Sequence, residues 1–457
     1  MLFNNCYKKV LTGFLLFISL FITSISCDST EPTPPDETKP TLTLALDDAS
    51  CTEAWLQLQT KDLTLPAELT LKQYNQTGDS VTQTFSLSTP DSLLYIDSLL
   101  PNQNYKFKVL LNTANNPQPT TNQLSVTTMD TTSHNFTFQS WTFGTIGSSV
   151  LYDVAIINEN NIWAVGDIKI ADTSQNGYTT YNAVHWDGSD WELFRIPNYD
   201  YPNTLVYGAL QTIFAFSAND IWFCSYSNLV HYDGSTFSSK AQFMTSINFN
   251  GQVLKMWGTD KNNIYCVGRN GAIYHYYGTN WQRIESGITL NINDIWGDYN
   301  DKTQDWEILT VASNFGTSLE KEILQIKNNS VTKLALSPQM WPLKTVWFIS
   351  NKQYYVAGAG IYQKRLLSDS IWKNNILDFT TFTTTSLRGN DVNDLIAVGA
   401  FGDFLHFNGV SWKIDYQEPL LNNGSYTKVT IIGDLVVAVG GNNLSINSEA
   451  VILIGRR

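Results

Sequence analysis

The sequence predicts an all-β protein: a small sandwich followed by a larger domain of repeated four-stranded units. Three observations carry that prediction. Of 457 residues, 13% are aromatic and only 15% are charged, amid abundant Thr, Ser and Asn, the residues of strands and turns. Ala, Glu, Lys and Leu do not dominate, as they would in a long helical bundle. From residue 149 onward, one strand-and-turn pattern returns again and again.

The first segment reads as an address. Lys8 and Lys9 precede an apolar run from Leu11 to Ile22, and Ser24-Ile25-Ser26 leads into Cys27. The run is shorter than the ~20 residues a membrane-spanning helix needs, so residues 1–26 are expected to be a secretory signal peptide. Cys27 at the cleavage point resembles the lipid-bearing first residue of bacterial lipoproteins, which implies lipidation at Cys27. Ser24 and Ser26 also suit ordinary small-x-small cleavage. Residues 27–40 continue as a polar, acidic, proline-rich linker, an extended tether that builds no core. Of the remaining cysteines, Cys51, Cys224 and Cys266 form neither a disulfide framework nor a C-x-x-C zinc pattern. Cys224 and Cys266 fall inside apolar strands and read as buried thiols.

Residues 41–130 alternate as half-buried strands do: Leu42/Leu44/Leu46, Leu56/Leu58, Leu69/Leu71 and Phe85/Leu87. Leu99-Leu100-Pro101-Asn102-Gln103-Asn104-Tyr105 then leads into Phe107 and Val109. This run resembles the fibronectin type III pattern, in which such a tyrosine packs inward and bonds nearby backbone. Gln103 replaces the usual Thr, and Trp55 is displaced from the usual strand-B tryptophan.

In the remainder, an apolar strand entered by Asn or Asp recurs, as in Asn161-Ile162-Trp163-Ala164-Val165-Gly166 and Asp394-Leu395-Ile396-Ala397-Val398-Gly399. Its copies centre on Trp163, Trp222, Tyr265, Leu309, Tyr355, Ile396 and Val437. Their spacing of about 45 residues is the period of a four-stranded propeller blade. Third strands end in tight turns such as His185-Trp186-Asp187-Gly188 and His406-Phe407-Asn408-Gly409, and fourth strands open on Trp191, Phe237, Trp281, Trp372 or Trp412. The last unit lacks a fourth strand, and residues 135–142 are an orphan strand that can supply it. Residues 135–457 are therefore expected to form a seven-bladed β-propeller closed by that N-terminal strand, which leaves no open sheet edge. The unit resembles the WDG-type propeller repeats of secreted bacterial proteins.

The net charge of −13 argues against nucleic-acid partners. His185, His231, His275 and His406 occupy one repeated position, so they are expected to stabilise their own blades and not to gather round a metal. The turn aspartates read as turn chemistry. No G-x-S-x-G, H-E-x-x-H, P-loop or calcium-loop motif occurs, so no catalytic residue, metal or cofactor is predicted. The loops joining strand four to the next blade, and strand two to three, share one face. That face is expected to collect Tyr199, Tyr201, the insertion 167–180, Arg269, residues 314–321, Trp341, Phe382 and Phe401, side chains suited to stacking on sugars or gripping a peptide. The expected function is non-catalytic binding of a glycan or envelope protein by an exported, lipid-anchored surface or envelope protein. The alternatives are a carbohydrate-active enzyme and an adhesion or assembly scaffold.

Overall fold

The computed structural model describes residues 39–457 except 115–116, 201–203, 227, 240–250, 315, 317, 375–381, 415–420, 422 and 444–446. Its described residues are almost entirely strands and turns. Seven strands come first: β1 (Thr41–Ala49), β2 (Ala54–Lys61), β3 (Ala67–Tyr74), β4 (Ser80–Leu87), β5 (Asp91–Ile96), β6 (Asn104–Leu111) and β7 (Leu124–Thr127). They pair as β1-β2-β5 and β4-β3-β6-β7. The alternating Leu42, Leu44, Leu56 and Leu58 of one sheet share a buried cluster with Leu69, Leu71, Phe107 and Val109 of the other. The tyrosine corner is present, with the Leu100 N–H donating to Tyr105 Oη at 2.9 Å. This arrangement is fibronectin type III-like.

Strand β8 (Thr137–Phe143) follows, and among the described residues it and the strands beyond it form seven four-stranded antiparallel sheets that resemble propeller blades. Their first strands are Val150–Asn158, Thr212–Ser217, Val253–Asp260, Ile292–Asn300, Leu343–Ile349, Thr384–Asp391 and Ser425–Ile432, defining sheets 1 to 7. Each first strand lies beside that of the next sheet, and the seventh lies beside the first. In sheet 7 the fourth position is taken by β8, which pairs antiparallel with Ser448–Arg456.

The recurring apolar run is continuous, not alternating, because both faces of each sheet are buried. In sheet 1, Ile162 and Ala164 pack toward sheet 7, while Trp163 and Val165 pack toward sheet 2. Seven such clusters each join two consecutive sheets, one of them linking sheets 7 and 1. Each fully buried Val, Leu or Ile there contributes about 1.5–3 kcal/mol.

The glycine closing the run is a packing requirement. A Cβ on Gly166, Gly358 or Gly399 would stand 2.1 Å from the carbonyl oxygen of Val150, Pro342 or Thr383. The close approach accompanies a β-bulge on the first strand, where the register slips between Leu343 and Thr345 and between Thr384 and Ser386. The turn glycine is constrained twice over. Gly188 has φ +102° and a Cβ there would lie 2.8 Å from Asn160 Oδ1.

Residues 167–180 are an ordered extension of a β-hairpin, with Ile168 opposite Tyr181 and Ala171 opposite Tyr178. The sandwich rests on the edge formed by turns one–two and three–four. Asp47 binds Lys302 and Arg365, both at 2.8 Å. The Arg365 guanidinium lies 4.2 Å from the centroid of the Trp55 ring. Trp55 thus packs at the junction and stands outside the core cluster of the two sheets. Cys51 is fully buried at the same junction and donates to the Asp130 carbonyl at 3.1 Å. Burial pushes its thiol up to about 11.

Candidate functional site

The repeated histidines serve their own sheets. His185 Nε2 lies 2.9 Å from Asn161 Oδ1, His231 Nε2 2.8 Å from Asp220 Oδ1, and His406 Nε2 3.0 Å from Asp394 Oδ1. His275 makes the same bond to Asn263. The Asn or Asp that enters the second strand is therefore the fixed partner of the third-strand histidine. His185 and His275 also stack on Trp163 and Tyr265, with centroids 4.3 and 3.9 Å apart. Among the described residues, no group of three or more His, Cys, Asp or Glu is arranged to hold a metal ion.

The turn aspartates act as the sequence suggests. Asp187 Oδ1 accepts from the N–H groups of Ser189 and Asp190 at 2.8 and 2.9 Å. These backbone bonds, with the Ser189 hydroxyl, hold its carboxyl down at about 2. Asp394 differs. It is buried and takes His406, Asn390 and the guanidinium of Arg457.

On the edge opposite the sandwich, the expected binding residues separate into small groups. Phe382 and Phe401 meet with ring centroids 4.7 Å apart and are 43% and 56% exposed. Phe401 sits at φ +58° in the turn between strands two and three of sheet 6, pinned by its N–H to the Gly424 carbonyl at 2.8 Å. Trp341 is half exposed and its backbone N–H donates to Tyr362 Oη. It lines a cleft of about 400 Å³ with Leu319, Lys321, Pro338 and Pro342. Arg269 is exposed after the second strand of sheet 3. Tyr199 is half-buried in a hairpin, opposite Leu205. Among these residues, ring contact joins only Phe382 and Phe401. Tyr201 and Cys27 lie outside the described residues.

Sequence reasoning passed over the polar residues of the first strands. Directly after the bulge, or at the position matching it, stand Asp153, Thr212, Lys255, Asp294, Thr345, Ser386 and Lys428. They converge across sheets. Lys255 Nζ reaches the two Asp153 oxygens at 2.8 and 2.7 Å, and Thr212 Oγ1 donates to Asp153 at 2.7 Å. Asp294 accepts both terminal nitrogens of Arg388 at 2.9 and 2.8 Å and the Thr345 hydroxyl at 2.7 Å. Lys428 Nζ stands 3.8 Å from Asp294. Burial would raise the Asp294 carboxyl, but Arg388, Lys428 and Lys255 outweigh it and hold the group well below the usual carboxylate range. Burial draws Lys428 down to about 8 against the attraction of Asp294. The sequence signal was a charged residue at the third or fourth position of a first strand, as Lys255 in Val253-Leu254-Lys255-Met256.

No family model and no curated protein matches the chain. Solved structures do resemble it. A structure of YCF48 bound to D1 peptide is 14% identical with a TM-score of 0.50, over 72% of this chain and 99% of that one. YCF48 from Cyanidioschyzon merolae is 15% identical with a TM-score of 0.48, over 69% and 98%. The WD40 β-propeller domain of Doa1 is 10% identical with a TM-score of 0.49, over 70% and 97%. The first likeness is one of fold, a distant and partial resemblance to a β-propeller protein.

Proposed function

We propose that the seven sheets close into a seven-bladed β-propeller, locked by β8 as the outer strand of the seventh blade, and that its free face binds a protein partner without catalysis. The observation that carries this reading is the division of the two edges. The sandwich covers turns of sheets 4, 5 and 6 through Lys302, Arg365 and Asn393, while exposed Phe382, Phe401, Trp341 and Leu319 stand on the other edge. Exposed aromatics beside polar loops are the usual anchors of partner recognition. The fold-level likeness to a propeller that carries a bound peptide points the same way. In this reading the chain is exported, Cys27 carries the lipid anchor, residues 27–40 are the tether, and the sandwich is a spacer.

The test is binding of purified residues 39–457 to peptide and glycan arrays, repeated with Phe401→Ala and Trp341→Ala. Peptide binding lost in these variants at unchanged melting temperature supports the reading. Binding confined to glycans would replace the protein partner with a sugar, and binding unaffected by both variants would move the site elsewhere. Labelling with a palmitate analogue, compared between the native chain and Cys27→Ala, tests the anchor.

A further inference from the structure

The first strands of the seven sheets converge on a buried belt whose charges do not cancel. Two carboxylates, Asp153 and Asp294, face three cations, Lys255, Arg388 and Lys428. The charges that act most strongly on Lys428 are these same groups. A charge withdrawn from water without a partner is costly. Lys428 is the least satisfied member: its side chain is 13% exposed, and its ion pair to Asp294 spans 3.8 Å. Lys255 spends two bonds on Asp153, leaving one of its three donors for another acceptor.

Directly beside the belt, toward the sandwich-bearing edge, lies a cavity of about 280 Å³. Six of the seven first strands line it, and its walls are apolar, with Trp257 and Trp296 the largest side chains. The charged groups on its lining are Lys255 and Arg388; no carboxylate belongs to it. Lys255 and Arg388 bring positive charge to an otherwise apolar lining, which is complementary to an anion that carries an apolar body. The volume falls just below the ~300 Å³ at which sites for drug-sized ligands begin.

We infer that this chamber is a binding site for a small organic monocarboxylate, its head against the cations of the belt and its body between the tryptophans. The inference stands apart from the free-face reading, since it uses the opposite end of the first strands.

Calorimetry and thermal melting of residues 39–457 with hexanoate, phenylacetate, the neutral analogue hexanamide and chloride, at matched ionic strength, test it. Hexanoate or phenylacetate is expected to bind and raise the melting temperature while hexanamide does not. Lys428→Met, which removes the third cation of the belt without altering the chamber lining, should weaken binding about tenfold or more. Ala215→Leu, which fills the chamber from its wall, should abolish phenylacetate binding while leaving the fold intact. Equal responses to hexanoate and hexanamide, no response to either carboxylate, or binding undiminished in Ala215→Leu would overturn the inference. A response to chloride alone would also overturn it, leaving an inorganic anion site. If Lys428→Met fails to fold, the amide comparison and Ala215→Leu still decide.

Discussion

The outer rim and the axis of the seven sheets use polar residues in opposite ways. At the rim, one residue type recurs, and each copy serves its own sheet: His185 binds Asn161, and His231 binds Asp220. At the axis, residue types differ from sheet to sheet and each bond crosses between sheets, as Lys255 of sheet 3 does to Asp153 of sheet 1. A recurring residue away from the first strands keeps its fixed partner in its own sheet, and some copies add a neighbour, as His275 does with Asn329 and His406 with Arg457. The first strands lie beside one another, so their polar copies meet across sheets and are free to specialise as donors, acceptors and charges. Recurrence marks local architecture, and variation at a shared axial position marks a collective site.

The largest effect should come from breaking an axial pair. Arg388→Met leaves the fully buried Asp294 carboxylate without its bidentate partner and should cost about 3–5 kcal/mol in chemical denaturation. Asp294→Leu added to it should recover most of that loss, a coupling the rim pairs should lack. Gly409→Ala comes next. The residue has φ +92°, and a Cβ would stand 2.4 Å from Cys51 Sγ, so a loss of about 2 kcal/mol is expected, with loosening of the sandwich junction seen as faster proteolysis of residues 130–135. At the rim, Asn161→Ala and Asp220→Ala should each cost about 1 kcal/mol. In the double variant they should add within about 0.5 kcal/mol, since they share no partner; strong coupling would erase the contrast between rim and axis.

A pH series sharpens it further. His134, beside His406 at the linker, is held down to about 4 by burial and by the charges of His406, Lys413 and Arg457. Its folded value lies below its ordinary 6.5, so the unfolded chain takes the proton first. Stability is then complete above pH 6.5 and falls as the pH drops toward 4. Denaturation midpoints between pH 7.5 and 4 should show that fall, and His134→Asn should flatten it. The smallest effect is expected on the free face, where Phe401→Ala should change stability by less than about 0.5 kcal/mol.

Much of the organisation was legible in the chain because it rests on local, repeated rules. The strand period showed in Leu42/Leu44/Leu46, the corner in Leu100–Tyr105, and the sheet unit in the run from Asn161 to Gly166. The partner of each histidine was also written there, since Asn161 and His185 recur as a pair, but neither signal alone says that the two side chains meet. Trp55 stood out in the sequence only as displaced from the usual strand-B position; its contact with Arg365 was not legible there. Of the aromatics expected at the candidate site, Trp341, Phe382 and Phe401 are exposed and Tyr199 is half-buried; Phe382 and Phe401 come together, because loop positions are set by the sheets beneath them.

The sequence by itself determined that the chain folds into strands with both faces buried in its larger part, where the turns fall, and which residues are copies of one another. These properties follow from the apolar pattern and from backbone geometry over a few residues. Only the tertiary structure decided which copies touch. Asp153 and Lys255 are separated by about a hundred positions, and Asp294 and Arg388 by nearly as many. Their attraction becomes strong only where packing removes water, and no stretch of chain encodes that removal locally.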